Sequence, residues 1–429
     1  MDFDFQLKDK VVCVYDFGLF VDVSVKLAEK FGKVYYFTDW QDDFSTWNDY
    51  KIGTGLPNVI RCEKFFDIVD ECDLFVFPDI GKGDLQQYLR RQGKLVYGSA
   101  EAEDLEIYRS LFLKLKRDLG MNEIPTKEFT KLEDMKDYLK DKENLFIKID
   151  AFRGNMETER FLNMKLSEPF LDKLQHDIGF IKDDEIHFLV ESPINDAIEI
   201  GTDLICVNGK YSDKCFYGPE IKGEAFMGIF SDFSKVPKPI REVNEKMEQV
   251  LNWYGYRGPL STEVRVTEKE KKGYFIDICA RQGNPPTACE LELLDNYAEA
   301  IYGAAMGMIV PLKSKYKFAC QLQIHSSWSE KEPMPIEFDD KYSQYVKFKH
   351  WAIKDTEYGK VNYFIPATKP LSSPCSVVGI GQTMDEAIKM CKKIADTLKG
   401  KSLEFRVEAL DEAKEQVEKM FKLFPQSKI

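Results

Sequence analysis

The first hundred residues alternate short apolar runs with amphipathic repeats. KVVCVYDF, KVYYFTDW, CDLFVFPDIG and KLVYGS predict strands, and VDVSVKLAEKFG and GDLQQYLRRQG predict helices. This order predicts a small parallel sheet with right-handed crossovers. Such sheets bind ligands at the carboxyl ends of their strands, here at Asp16, Asp39 and Asp79. The first loop lacks the GxGxxG spacing, so a dinucleotide site, and with it a nicotinamide-dependent oxidoreductase, is unsupported.

Beyond this sheet the apolar spacing becomes helical. One helix is predicted from Glu103 to Gly120, with Arg109 on its flank, where an arginine is ordinarily a solvated charge. A helix around LEDMKDYL and a strand NLFIKID follow. Near the C-terminus, SVVGIGQTMDEAIKMCKKIADTL predicts a strand and a helix that begins with a Thr383–Glu386 capping box. In the helix predicted from Glu103 to Gly120, the apolar stripe consists of Leu105, Tyr108, Phe112, Leu115 and Leu119.

A charged strand end stands out in GYFIDICARQGNP. Strand periodicity places Asp277, Cys279 and Arg281 on one face, and the run GPLSTEVRV contributes Glu263 on another short strand. Two carboxylates on adjacent strands repel unless a cation lies between them, and oxygen ligands without histidine favour Mg²⁺. Their repulsion predicts that Asp277→Asn stabilises the protein. No histidine lies near Cys279 in the sequence, which argues against a nucleophilic thiol.

Lys148 is a cation within an otherwise apolar strand, and a buried ammonium is costly unless it is paired. Nucleotide phosphates would pair it; a structural acid is the alternative. The segment AFRGNMETERF follows, in which Arg153 and Gly154 belong to a loop that could fold over phosphates or form an ordinary hairpin turn.

Length and charge narrow the function. The 429 residues allow two or three domains, and a net charge of -13 argues against nucleic acid as a partner. No apolar run reaches membrane-spanning length and no signal sequence is evident, which predicts a soluble, cytoplasmic protein without a membrane partner. The 10 cysteines lack CxxC spacing and are expected to be reduced core residues. The 4 histidines show no metal-ligand pattern.

The order acid, then acid-x-x-x-Arg-x-Gly, resembles the ATP-grasp ligases. Within them, FIDICARQGNPPT, LEIYRSLFLKLKRDLGMNEIPT and HFLVESPINDAIEIGTDLICVNGKY are similar to segments of the phosphoribosylamine–glycine ligase family. CFYGPEIKGEAFMGIFSD and the C-terminal strand and helix extend the likeness across nearly the whole chain. The resemblance implies an α/β (α+β) ATP-grasp fold: a Rossmann-like pre-ATP-grasp domain at 1–102, the ATP-grasp domain at 103–310 with its lid at about 122–192, and a small C-terminal domain at 311–429.

The resemblance also implies a site. The cofactors would be ATP and Mg²⁺, with Mn²⁺ as a substitute, and the metal ligands Glu263 and Asp277. Lys148 and Arg281 would be catalytic, Arg281 as the clamp on the transferred phosphoryl group. In the family the hinge after Glu191 carries adenine and a later glutamate accepts the ribose; the alternative for this segment is a strand-turn-strand with two solvated acids. The implied nucleotide contacts are Arg109, Lys148, Arg153, Gly154, Glu191, Pro193, Ile194 and Glu199.

The implied activity is that of an ADP-forming carboxylate–amine ligase that acts through an acyl phosphate on small molecules, as a monomer or homodimer. VYDFGLFVDV and FPDIGKG replace the family's sugar-phosphate loops, so we expect a changed acceptor site in which Asp16 and Asp79 would repel a phosphate. Two alternatives stay open. One is a genuine phosphoribosylamine–glycine ligase. The other is a noncatalytic ATP-binding sensor or scaffold, which Cys279 and Arg109 would favour because the family has asparagine and lysine at those positions.

Overall fold

A computed structural model describes residues 5–39, 50–150, 158–178, 186–366 and 371–429. Arg153 and Gly154 lie outside the described residues. Within the described part of the chain there is a five-stranded sheet, a four-stranded sheet, an eleven-stranded sheet and a three-stranded sheet.

The N-terminal sheet is parallel throughout, with the strand order β3-β2-β1-β4-β5. Its central strands are buried on both faces, which explains their continuous apolar sequence. The predicted strands and helices are confirmed, and β3 is an additional short strand. The elements are β1 (Val11–Tyr15), α1 (Val21–Ala28), β2 (Lys33–Phe37), β3 (Ile60–Arg61), β4 (Leu74–Val76), α2 (Gly83–Arg91) and β5 (Leu95–Tyr97).

The single helix predicted from Glu103 to Gly120 is wrong. The chain forms α3 (Asp104–Ile107), takes extended geometry at Tyr108, and starts α4 (Arg109–Asp118). Tyr108 is 43% exposed, and the buried face of α4 carries Arg109, Phe112, Leu113 and Lys116. The break at Tyr108 rotates the helix face relative to an uninterrupted helix, so Arg109 points inward rather than into solvent.

The next unit has its own antiparallel sheet, in the order β6-β9-β7-β8, and a separate hydrophobic core; it coincides with the segment predicted as a lid, and we keep that word only as a label for it. Leu139, Ile147 and Phe161 are fully buried in that core. The elements are β6 (Thr126–Phe129), α5 (Leu132–Leu139), β7 (Leu145–Ile149), β8 (Thr158–Phe161), α6 (Met164–Ile178) and β9 (Phe188–Glu191).

The eleven-stranded sheet is the largest unit of the described structure. Its main path runs β16-β15-β10-β12-β14-β17-β22-β19, and β11, β13 and β23 pair at its margins. The first strands of this sheet and the helices between and after them are, in chain order, β10 (Ala197–Val207), β11 (Lys210–Tyr211), β12 (Lys214–Gly218), β13 (Glu220–Ile221), β14 (Ala225–Asp232), α7 (Lys238–Trp253), β15 (Arg257–Thr267), β16 (Gly273–Cys279), α8 (Pro286–Leu293) and α9 (Tyr297–Ala305).

The C-terminal residues continue the same sheet, because β17 pairs with β14. The capping box at Thr383 and Glu386 is confirmed at the start of α10. None of the helices among the described residues is long and apolar enough to cross a membrane. The elements are β17 (Phe318–Ser326), β18 (Met334–Ile336), β19 (Val346–Phe348), β20 (Trp351–Thr356), β21 (Gly359–Phe364), β22 (Cys375–Gly381), α10 (Met384–Ala395), β23 (Leu403–Glu404) and α11 (Glu408–Leu423).

One hydrophobic core unites the N-terminal sheet, the large sheet and the C-terminal helices. Direct contacts add to it: Gly98 forms a β-bridge with Arg257, and the backbone N–H of His350 donates to the carbonyl of Gly18. All ten cysteines are unpaired and nine are buried, as the sequence predicts.

Candidate active site

A cleft opens between the lid sheet and the large sheet, and we call it the hinge cleft. Residues 192–196 connect β9 to β10 and form one end of it. Its free space, counted together with the part that is open to solvent, is about 730 Å³. The lining residues are Ile124, Phe146, Lys148, Thr158, Glu191, Ser192, Pro193, Ile194, Glu199, Lys222, Glu263, Arg265, Ile276 and Asp277.

Lys148 lies on β7 and is only 5% exposed. Its Nζ is 3.2 Å from the Glu191 carboxylate and donates to the backbone carbonyl of Ile276 at 3.0 Å. The buried ammonium is therefore paired within the chain, by an acid that also lines the cleft. The expectation that Glu191 could be a solvated acid is wrong, because this residue is 4% exposed.

Glu263 and Asp277 face each other in register across β15 and β16. A bulge follows Glu263, which places both Ile276 and Asp277 at the cleft wall. Each carboxylate already has a cation: Arg109 pairs with Asp277, and Lys222 Nζ is 3.1 Å from Glu263. The pair has the oxygen ligands that Mg²⁺ prefers, so the residues present fit a divalent ion in place of the cations.

The two carboxylates have opposite electrostatic environments. Burial raises the pKa of Glu263 to about 7, Lys222 opposes the rise, and Asp277 adds to it. Burial also disfavours the charged form of Asp277, but Arg109 and Lys148 outweigh that effect and hold its pKa below its ordinary value. Asp277 is thus ionised at neutral pH, while Glu263 takes up a proton near pH 7.

Arg109 is 3% exposed and lies behind Asp277, outside the cleft lining. Next to it, the backbone N–H of Ser110 donates to the Asp150 carboxylate at 2.9 Å, and the Ser110 hydroxyl donates to the same group. Asp150 follows β7 directly, so this contact joins the lid to the first turn of α4.

A second, more polar cavity adjoins the hinge cleft and shares Glu199, Lys222, Glu263 and Asp277 with it. We call it the acidic cavity, and its free space is about 900 Å³. Asp277, Cys279 and Arg281 all line it, as the strand periodicity predicts. The other lining residues are Gly201, Gly218, Glu220, Phe226, Ser261, Gly283, Asn284, Pro285 and Pro286.

Arg281 is the buried cation of the acidic cavity. Its Nε is 2.8 Å from Glu106 and 3.6 Å from Asp79, and Nη1 donates to the carbonyl of Gln282. Glu106 also accepts from the backbone N–H of Ala280. An acid of α3 and an acid that follows β4 thus fix the Arg281 guanidinium at the cavity wall.

The expectation that Asp16 and Asp79 face an acceptor as free carboxylates is wrong. Asp79 is paired with Arg281, and Asp16 is fully buried, where it accepts from the N–H groups of Gly18 and Phe20 and from the Tyr36 hydroxyl. The carboxylate that accepts hydrogen bonds from the backbone of the FPDIGKG loop is instead that of Glu103.

Glu103 occupies the start of α2. Its carboxylate accepts from the backbone N–H groups of Gly81 at 2.7 Å, Lys82 at 3.2 Å and Gly83 at 2.9 Å. These donors point at the place where a helix N-terminus would hold an anion. An internal carboxylate therefore takes the contacts that an acceptor phosphate would need in this loop.

Several residues of the site escape sequence reasoning. Lys222 contacts Glu199 at 3.4 Å, Glu220 at 3.3 Å and Glu263 from a β-hairpin, and its side chain remains 60% exposed, as a hairpin lysine ordinarily is. Glu106 and Asp150 bind partners far away in sequence and carried no local pattern.

No protein-family model matches the chain, and no curated protein matches its sequence significantly. Solved structures do match. Phosphoribosylamine–glycine ligase from Thermotoga maritima is 14% identical, with a TM-score of 0.70 over 93% of this chain and 99% of that one.

Two further structures are similar. The biotin carboxylase domain of 2-oxoglutarate carboxylase from Hydrogenobacter thermophilus, in complex with MgADP and bicarbonate, is 11% identical, with a TM-score of 0.63 over 97% of this chain and 98% of that one. L-amino acid ligase from Bacillus licheniformis is 16% identical, with a TM-score of 0.60 over 93% and 99%. The fold implied by the sequence resemblance is confirmed: the chain has the ATP-grasp fold.

Proposed function

We propose that this protein is an ATP-dependent carboxylate–amine ligase that acts through an acyl phosphate and releases ADP. One observation carries the proposal. One cleft is lined by residues from several separate elements: Lys148, Glu191, Pro193, Ile194, Glu199, Glu263 and Asp277. Solved structures with the same fold include two ligases and a carboxylase domain with bound MgADP.

The roles follow from position. Pro193 and Ile194, which line the cleft, would supply apolar and backbone contacts for a base, and Glu199, which also lines it, would accept a ribose. Lys148 donates to phosphate oxygens. Glu263 and Asp277 would hold Mg²⁺, which when bound neutralises phosphate charge. Arg281, fixed by Glu106 and Asp79, stabilises negative charge in the adjoining acidic cavity.

The acidic cavity holds the two substrates in this proposal. Its carboxylates outnumber its cations, and such a wall attracts an amine and suits its deprotonation. The Glu103 carboxylate at the start of α2 argues against phosphoribosylamine as the acceptor, because the N–H donors of that loop are taken. We therefore propose an acceptor amine that carries no phosphate at this position.

The test is a matrix of amino acids and other small carboxylates against amines, with ADP release as the readout and phosphoribosylamine plus glycine as one cell. We expect ADP release above background for at least one pair without phosphoribosylamine, and loss of this release in Lys148→Met. Efficient glycinamide ribonucleotide formation would overturn the acceptor assignment and leave the ligase assignment standing.

A noncatalytic ATP-binding sensor is the second candidate. It is favoured by the Arg109–Asp277 ion pair, which neutralises a proposed metal ligand, and by Cys279, whose thiol is a poor magnesium ligand. Tight MgATP binding by calorimetry, with no ADP release in any cell of the matrix, would support the sensor and contradict the ligase.

A further inference from the structure

A small cavity lies below Arg281 and Gly283, which it shares with the acidic cavity, and we call it the inner cavity. It is enclosed by β10, β15, α8 and the start of α9, and it has room for one water-sized group. Its lining residues are Tyr97, Asp203, Leu204, Ile205, Pro259, Leu260, Arg281, Gln282, Gly283, Glu290, Leu294 and Tyr297.

The polar groups of the inner cavity are mainly acceptors. Asp203 is 5% exposed, and neither of its carboxylate oxygens has a hydrogen-bond partner among the described residues. Gln282 is 2% exposed; its Nε2 donates to the Tyr297 hydroxyl, while its Oε1 has no partner within the same residues. Ser261 opposes Asp203 in register but forms no hydrogen bond of normal geometry with it.

Glu290 of α8 adds a second carboxylate to the inner cavity. Burial raises the pKa of Glu290 to about 7, and burial together with Glu290 raises the pKa of Asp203 well above its ordinary value. Arg281 does not neutralise them, because its closest acids are Glu106 and Asp79. A buried carboxylate without donors, as at Asp203, is costly, so the cavity as built calls for a donor-only or cationic occupant.

We propose that the inner cavity binds a water-sized monovalent cation of the ammonium class. Ammonium and potassium ions have the size of a water molecule, and the primary ammonium head of an amine substrate has the same charge and size. Mg²⁺ fits less well, because it keeps several waters and the space holds one group. No cluster of three or more His, Cys, Asp or Glu suited to a metal ion exists among the described residues.

Only the amine-head form of this proposal rests on the proposed ligase function. In that form Asp203 and Glu290 orient the amine through its ammonium group. A carboxylate then accepts one proton, and the neutral nitrogen attacks the acyl phosphate carbon, so that the C–N bond forms as the C–O bond breaks. The second proton of the nitrogen leaves with the phosphate, which departs as HPO4²⁻. The raised pKa of Glu290 suits a group that takes a proton near neutral pH.

The test is thermal unfolding of the full chain at constant chloride concentration in ammonium, potassium, methylammonium or tetramethylammonium chloride. We expect one or more of the three small cations to raise Tm by about 2–5 °C at saturating concentration relative to tetramethylammonium, which is too large to enter. Asp203→Asn and Gln282→Leu should each remove most of the difference. Asp22→Asn, which changes a partly buried carboxylate outside the inner cavity, is the control and should keep it.

The responses to the individual salts distinguish an inorganic cation from the amine head of a substrate. A response to ammonium and potassium without one to methylammonium identifies an inorganic cation site, and a response that includes methylammonium identifies a site that takes the amine head of a substrate. Equal responses in wild type and both cavity variants, or no response to any small cation, would overturn the proposal. The Tm increase on addition of MgATP should persist in Asp203→Asn, so that a failure here is distinguishable from a failure of the nucleotide cleft.

Discussion

The buried cations of the site are held by acids from distant parts of the chain. Lys148 is paired with Glu191 and Arg281 with Glu106, both in surroundings that exclude most water. A lone lysine in an apolar strand was enough to predict that Lys148 has an anionic partner. Local sequence could not identify that partner, because Glu191 belongs to a neighbouring strand that only the folded sheet brings near.

Under the proposed function Lys148 would have two separable roles, because the same ammonium is paired with Glu191 and lines the cleft. Lys148→Met should reduce ADP release by roughly 10²- to 10³-fold. It should also lower stability by about 3–5 kcal/mol, since Glu191 is left buried without its partner. Lys148→Met/Glu191→Gln should recover most of the stability in urea unfolding and none of the activity. Recovery of both would assign Lys148 a structural role alone.

Asp277→Asn should destabilise the protein, contrary to the expectation from repulsion with Glu263. Arg109 is buried against Asp277, so removing the negative charge leaves an uncompensated guanidinium, at a cost of about 3–5 kcal/mol. Glu263→Gln is the matched comparison. Because Glu263 is partly protonated near pH 7, replacing it with a neutral side chain should lower the free energy of unfolding less. Urea midpoints at pH 7 measure the difference; a variant Asp277→Asn as stable as Glu263→Gln would contradict this account.

At the scale of elements, the sequence predicts strands and helices whose bounds follow from local patterns, and it misses breaks and bulges that depend on contacts with other elements. The strands of the N-terminal sheet and the start of α10 agree with their local patterns. The break at Tyr108 and the bulge after Glu263 do not, because both are set by contacts with other elements. Each changes which side chains reach the site: the break turns Arg109 inward, and the bulge adds Ile276 to the cleft wall beside Asp277.

The lid is joined to α4 by Asp150, which accepts from the first turn of that helix. Asp150→Ala should cost about 1–2 kcal/mol, as for loss of a helix cap. It should also speed hydrogen exchange of the Ser110 amide without affecting the large sheet. Asp172→Ala, an exposed lid aspartate on α6, is the control and should change neither quantity. Unchanged exchange at Ser110 would show that the contact does not hold this turn.

At the scale of the whole molecule, the sheet of the ATP-grasp fold runs without interruption into the C-terminal strands through β14 and β17. The sequence predicted the order of elements, and with the family resemblance it predicted the fold. It could not predict this pairing, because the hydrogen bonds join strands separated by α7, β15, β16, α8 and α9. The domain boundaries at 102 and 310 stay predictions.

His350 joins the C-terminal part to the N-terminal loop at Gly18, and burial lowers its pKa to about 4. An unfolded histidine titrates near pH 6.5, so the unfolded chain binds more protons between pH 6.5 and 4, and stability is lost as pH falls through this window. We expect a loss of about 1–2 kcal/mol from this residue between pH 7 and 5. His350→Asn, which tolerates the positive φ, should show a smaller loss over that interval in urea unfolding. An unchanged difference between the two pH values would contradict the assignment.

The Glu103 carboxylate at the start of α2 competes with dissolved anions for the backbone N–H donors of this loop. Because it belongs to the same chain, its effective concentration at the Gly81, Lys82 and Gly83 amides is far above that of any dissolved anion. Free phosphate or sulfate must displace it before binding there, and loses its own translational freedom in doing so. This loop should therefore be indifferent to the phosphate concentration of its surroundings, a property that would suit the proposed ligase because its reaction would release phosphate at every turnover.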